Sequence, residues 1–167
     1  MRVGRVFYIA VLLLCAFETV RLWNIMPPQM AAHFNIQGDP DRFVSKAQFF
    51  WFQIQTMLIV ILVSLPFQVL FLVLPTSMVN IPNRDYWLAP ERRTETVGRI
   101  NGFGSMMFGV ILLTVQSAFE ISAYANLRTP ITFDVQLMGM VMTLFFVVIL
   151  LMLVWLIFSF RLPASSD

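Results

Sequence analysis

Long apolar runs separated by short polar bridges set the pattern of this chain. Four stretches, 6–24, 49–74, 100–125 and 135–160, are almost wholly apolar. Each is long enough for a helix to cross a hydrocarbon core of roughly 30 Å, which takes about 20 residues at about 1.5 Å per residue. Only Glu18, Arg21 and Glu120 are charged within them. The bridges 25–48 and 75–99 are too short to build cores of their own. Residues 1–167 therefore read as a single membrane domain, an all-α integral membrane protein whose four-helix transmembrane bundle carries an ordered extracytoplasmic loop.

Local chemistry marks the helix boundaries. Ser45-Lys46-Ala47-Gln48 is a capping box and predicts that the second helix begins there. Pro66 lacks the N–H that would bond the Leu62 carbonyl, which predicts a kink, with Ser64 or a neighbouring helix helping to satisfy the freed carbonyl. Pro90 suits a first helical position, and Glu95 stands four residues before Arg99, the favourable order for a helical ion pair, so the third helix starts well before the bilayer. Gly98, Gly102, Ser105 and Gly109 share one face of that helix. Small residues there permit close backbone approach in lipid, within the bundle or across a homodimer.

Composition supports the membrane reading, since 59% hydrophobic and 12% charged residues lie far from the make-up of soluble domains. The lone Cys15 excludes a disulfide scaffold, and a net charge of +2 without basic-aromatic interleaving gives no reason to expect nucleic-acid binding. With the N-terminus inside, Arg2, Arg5, Arg84, Arg92, Arg93, Arg99 and Arg161 face the cytoplasm, against Arg21, Arg42, Lys46 and Arg128 outside. The positive-inside rule then puts both termini in the cytoplasm, with the first span an uncleaved signal anchor. Trp23, Phe49, Phe50, Trp51 and Tyr124 are expected at the outer headgroup level, and Tyr86 and Trp87 at the inner one.

Three groups of residues offer chemistry. In the outer loop, Pro27-Pro28 leads into His33-Phe34-Asn35-Ile36, and Gly38-Asp39-Pro40-Asp41 is strong turn chemistry. An extended segment would direct His33 and Asn35 one way and dip Phe34 and Ile36 toward the membrane. Loop folding, oxygen ligation of calcium by Asp39 and Asp41, and recognition of an external ligand by His33, Asn35, Gly38, Asp39 and Asp41 all fit these residues. A single histidine argues against zinc, and neither a metal nor a cofactor is expected. Within the spans, Glu18, Gln53, Gln55, Gln116, Glu120 and Gln136 fall at one depth and are expected to meet beneath the loop, as paired structural groups or as a ligand or proton site. On the cytoplasmic side, Asn83, Asp85, Tyr86, Trp87, Pro90, Arg92 and Arg93, with Arg84 and Arg99, form a strip suited to anionic lipid headgroups or to a cytoplasmic regulator. No nucleophile, phosphate loop or redox CxxC accompanies His33, so a catalytic role is not expected.

His33-Phe34-Asn35, Gly38-Asp39-Pro40-Asp41 and Ser45-Lys46, followed by the stretch from Asn80 to Arg93, resemble the membrane family called domain of unknown function 1648, whose best-known relatives are SdpI-like immunity proteins. The resemblance touches residues 5 to about 100. It implies a polytopic protein of the bacterial cytoplasmic membrane and, in the immunity branch, protection against a secreted membrane-active toxin, in some cases with control of a cytoplasmic repressor.

The leading expectation is a non-enzymatic envelope protein that senses, binds or neutralises a ligand or toxin at the outer face. A small accessory subunit bound to another membrane protein is the alternative, suggested by the small-residue face and the uncharged fourth span. A proton-coupled transporter using Glu18 and Glu120 is the third, though no inverted repeat favours it. The topology predicts opposite labelling of two cysteines introduced into a Cys15→Ser background. Gln37→Cys should react with a membrane-impermeant maleimide in intact cells, and Arg84→Cys only after permeabilisation; labelling from a common side would refute it.

Overall fold

A computed structural model describes residues 2–162; Met1 and residues 163–167 of the predicted domain lie outside the described residues. Four long apolar helices account for most of it: α1 (Arg2–Ile25), α2 (Lys46–Val73), α4 (Arg93–Ala125) and α5 (Val135–Ser159). Between α1 and α2 stands an antiparallel hairpin of β1 (Gln29–Phe34) and β2 (Pro40–Ser45), and the short helix α3 (Arg84–Trp87) sits in the arginine-rich connection. The bundle is helical as predicted, and the hairpin is the added feature. We refer to the two ends of the bundle as the hairpin end and the arginine end.

The predicted helix starts hold at α2. Ser45 Oγ accepts from the Gln48 backbone N–H at 3.2 Å, and Gln48 Oε1 accepts from the Ser45 N–H at 3.0 Å. α2 runs on through Pro66. Ser64 does not serve the Leu62 carbonyl as expected; its hydroxyl bonds the Ile61 carbonyl at 2.7 Å and meets the Tyr8 hydroxyl of α1 at 2.8 Å. The Pro90 expectation is corrected. α4 begins at Arg93, and Pro90 occupies the second position of the turn closed by Arg92 N–H to Ala89 C=O at 2.9 Å, where its fixed φ suits the turn geometry. The 33 residues of α4 span about 50 Å, longer than the apolar core of a bilayer, so this helix does extend beyond it. The Glu95–Arg99 ion pair forms on that extension at 2.6 Å.

α4 is the post on which α1, α2 and α5 pack. Three apolar layers follow one another along it. Leu22, Met26, Met30, Phe49, Phe50 and Ala123 fill the hairpin end; Tyr8, Val11, Cys15, Met57, Phe108 and Leu112 fill the middle; Val79, Trp87, Ile100 and Phe160 fill the arginine end. Phe49, Phe50 and Trp87 are therefore core residues and not the interfacial rings expected, because each turns into the layer at its own end.

The small-residue face of α4 serves the bundle. Gly98, Ser105 and Gly109 are buried within the chain, and Gly102 meets Gly4 of α1 so closely that a Cβ at position 4 would lie 2.2 Å from the Gly102 carbonyl oxygen. A Cβ at Gly109 would strike the Phe7 ring at 2.6 Å, and one at Gly104 the Phe67 ring at 2.1 Å. Gly104 was outside the predicted face and belongs to the α2 contact. Because the obstacle at Gly4 is rigid backbone, Gly4→Ala should force α1 away from α4, at a cost of about 1–3 kcal/mol typical of overpacking. A lowered midpoint in detergent thermal denaturation would show it, and an unchanged midpoint would refute the contact.

Candidate functional site: a cavity beneath the hairpin

The hairpin is built differently from the expectation for its turn. Asn35 supplies the turn chemistry: its Oδ1 accepts from the Gln37 and Asp39 backbone N–H groups at 3.0 and 2.9 Å, and its own N–H bonds the Asp39 carbonyl at 2.9 Å. Gly38 takes φ +90°, a region that favours glycine. The turn thus spans 35–39, and Pro40 and Asp41 open β2, where a proline at the first strand position leaves no ladder bond missing. Register shifts flank His33 on both sides, and the bulges bring its Nδ1 to 2.6 Å from Asp41 Oδ1. Strand alternation stops at Phe34, and Ile36, in the turn, is 86% exposed while still lining the space beneath the hairpin beside Phe34.

Three contacts hold the hairpin over the helix ends. Asn126, just past α4, presents its side-chain amide to the backbone of Ala31 as a neighbouring strand would: Oδ1 accepts from the Ala31 N–H at 2.6 Å and Nδ2 donates to the Ala31 carbonyl at 3.0 Å. Lys46 Nζ donates to the carbonyls of Trp23 and Met26 at 3.1 and 3.2 Å and lies 4.9 Å from the Trp23 ring centre, closing the C-terminal end of α1. Gly38 accepts from the Phe133 N–H at 2.8 Å, and the Phe34 and Phe133 rings lie 5.1 Å apart. The Ser45-Lys46 pair accordingly starts one helix and finishes another.

Beneath this cap lies a cavity of about 690 Å³ between the hairpin, α2, α4 and the start of α5. Its walls are mainly apolar, with Phe34, Val44, Phe49, Phe52, Phe119 and Phe133 among them, while His33, Asn35, Arg42, Gln48 and Ser122 supply polar groups. Of the predicted loop ligands, His33 and Asn35 line it. Gly38 and Asp39 instead shape the turn, and Asp41, in β2, pairs with His33. Among the described residues no three of His, Cys, Asp and Glu gather as metal ligands.

The polar groups expected in the spans meet only in part. Gln53 of α2 is fully buried, and its Nε2 donates to Gln116 Oε1 at 3.0 Å and to Thr19 Oγ1 at 3.1 Å; Gln116 Nε2 in turn donates to Glu120 Oε1 at 2.8 Å. Among the described residues Gln53 Oε1 is left buried with no hydrogen-bond partner. Glu18 goes elsewhere, accepting from Arg21 Nε at 2.6 Å, while Arg21 also donates to the Tyr124 hydroxyl. Gln55 and Gln136 are exposed, since their positions turn them away from the seam between α1, α2 and α4. Asp134 caps α5 by accepting from the Leu137 N–H at 2.9 Å. That bond first, and Arg128 second, hold its carboxyl below the usual carboxylate range, so the ionised cap is retained until the pH falls through that lowered value.

At the arginine end the predicted motif is largely consumed internally. Asn83, in the left-handed region at φ 53°, donates through Nδ2 to the Phe160 carbonyl at 2.8 Å, and Trp87 Nε1 donates to the same oxygen at 2.9 Å. Arg99 donates to the Ser159 carbonyl at 2.8 Å and lies over the Trp87 ring. Arg93 donates to the Leu74 carbonyl at 3.1 Å, and Arg92 sits over Tyr86. Arg84, Asp85 and Pro90 are exposed.

Residues 10–59 match the family model described as domain of unknown function DUF1648. No curated protein and no solved structure matches the chain. The DUF1648 stretch covers most of α1, the whole hairpin and the first half of α2, and so supplies the roof and one wall of the cavity. The arginine-end motif from Asn80 to Arg93 lies outside the DUF1648 match.

Sequence reasoning passed over Asn126, Lys46 as a helix cap, and the wall residues Phe119 and Phe133. Asn126 had one visible signal, an amide at the end of an apolar run, but its partner is 95 residues away. Asn126→Ala should strand a buried backbone N–H and C=O, at about 1–3 kcal/mol for each group left unsatisfied. Hydrogen exchange at the Ala31 amide should then accelerate by at least tenfold; unaltered protection would rule out the latch.

Proposed function

We propose that this multi-pass DUF1648 protein binds an amphipathic, mostly apolar ligand at the outer face of the bacterial cytoplasmic membrane and thereby senses or neutralises it, without catalysing a reaction. The cavity of about 690 Å³ under the hairpin carries this reading. Concave, aromatic-lined space with a few convergent polar groups is the usual form of a small-ligand site. The arginine bias favours the hairpin outside, where the cavity meets the bilayer surface. An amphipathic guest, such as a secreted membrane-active peptide, would put its apolar groups against Phe49, Phe52 and Phe119 and its polar groups toward His33, Asn35 and Arg42. Gln48 is committed to capping α2, so Arg42 is the cationic determinant at the rim.

A second reading, an accessory subunit, is favoured by α5. None of its residues is buried within the chain, and it is apolar on every face, so lipid or a partner helix would cover it. Native mass spectrometry of protein purified in lipid nanodiscs distinguishes the two. The ligand reading expects a small guest on the wild-type chain and at least tenfold lower occupancy in Ala118→Trp, whose indole fills the cavity. Equal occupancy in both proteins, or a stoichiometric protein partner in place of a guest, would overturn it.

A further inference from the structure

A separate cavity of about 600 Å³ lies between α4 and α5. Ile121, Leu137 and Val141 give it apolar walls, Ser117 and Tyr124 contribute hydroxyls, and Glu120 lines it within the span. The cations nearby are engaged. Arg128 pairs with Asp134 at 3.4 Å, and Arg21 is bonded to Glu18 and to the Tyr124 hydroxyl. Glu120 receives the Gln116 amide at 2.8 Å and makes no ion pair among the described residues. Gln116 is itself held by the fully buried Gln53, so the bond that orients the carboxylate is anchored across two helices.

The charges in this cavity do not balance. Arg128 and Asp134 cancel, which leaves Glu120 as the net charge in an apolar surround. An ionisable group at membrane depth is costly unless it is compensated, and weak screening there strengthens its attraction for a cation. The geometry points to a binding site for a lipophilic cation, an organic ammonium or phosphonium whose apolar body lies along Ile121, Leu137 and Val141 while its charge meets Glu120. An anion of the same shape is repelled by the same carboxylate. This cavity and the space beneath the hairpin both border on α4 and α5 but have no lining residue in common, so this site stands or falls independently of the proposed function.

Two probes with the same four-phenyl shell and opposite charge test the site. Equilibrium dialysis of the full chain in phosphatidylcholine nanodiscs, corrected for empty discs, should show saturable binding of tetraphenylphosphonium at one site per chain and none of tetraphenylborate. Glu120→Gln keeps an acceptor for Gln116 and should weaken phosphonium binding by at least tenfold, whereas Glu120→Asp should retain saturable binding. Leu137→Trp, which fills the cavity and leaves the carboxylate in place, should weaken it by a similar factor. Absence of saturable phosphonium binding in the wild type overturns the proposal. So does wild-type affinity in Glu120→Gln or, should that variant fail to assemble, in Leu137→Trp.

Discussion

A hydrocarbon solvent offers no donors or acceptors, so a polar group at membrane depth is costly unless it finds a partner within the protein. The side-chain hydrogen bonds within the spans answer this requirement, and others close the helix ends. Tyr8 and Ser64 satisfy each other across α1 and α2, and Ser64 also bonds the Ile61 carbonyl, five residues before Pro66. Gln53 and Gln116 join α2 to α4. Lys46 closes the end of α1, and Asn83, Trp87 and Arg99 close the end of α5. Such bonds contribute on the order of 1 kcal/mol each, but a buried group left unmet costs more, so they specify which helices meet and in what register.

The same solvent removes the hydrophobic drive between helices, and packing must supply cohesion instead. α4 meets this need with Gly102, Gly104, Ser105 and Gly109, which admit the backbone of α1 and the rings of Phe7 and Phe67. α1 and α2 both reach the post, whereas α5 touches it with an apolar surface that remains open to lipid along its length. The asymmetry creates the two cavities. One lies where the hairpin bridges α2, α4 and the start of α5, and the other between α4 and α5 beside Glu120.

Features governed by neighbours in the chain were legible in the sequence, and features governed by distant partners were not. Apolar run length revealed the four helices, while spacings of three and four residues revealed the Ser45–Gln48 box and the Glu95–Arg99 pair. His33 and Asn35 were recognisable as special because imidazole and amide stand out in an apolar chain, and both do line the cavity. Their roles were not recognisable, because Asn35 is a turn-former and the bulges that bring His33 to Asp41 depend on register across the hairpin. Depth alone suggested that six polar span residues would converge. Azimuth decided otherwise for Gln55 and Gln136, and for Glu18 the nearer arginine did. Trp87 looked interfacial from its neighbours in sequence, yet the carbonyl that buries it is 73 residues further along.

That last separation bears on how the molecule is made. Asn83 and Trp87 emerge from the ribosome long before Phe160, so their donors stay hydrated while α4 and then α5 are threaded into the bilayer. The arginine-end loop can adopt its final form only once the C-terminal turn of the last helix has returned to the same side of the membrane. Closure of the arginine end therefore waits on α5, and a nascent chain halted before that helix lacks the carbonyl that Asn83 and Trp87 share.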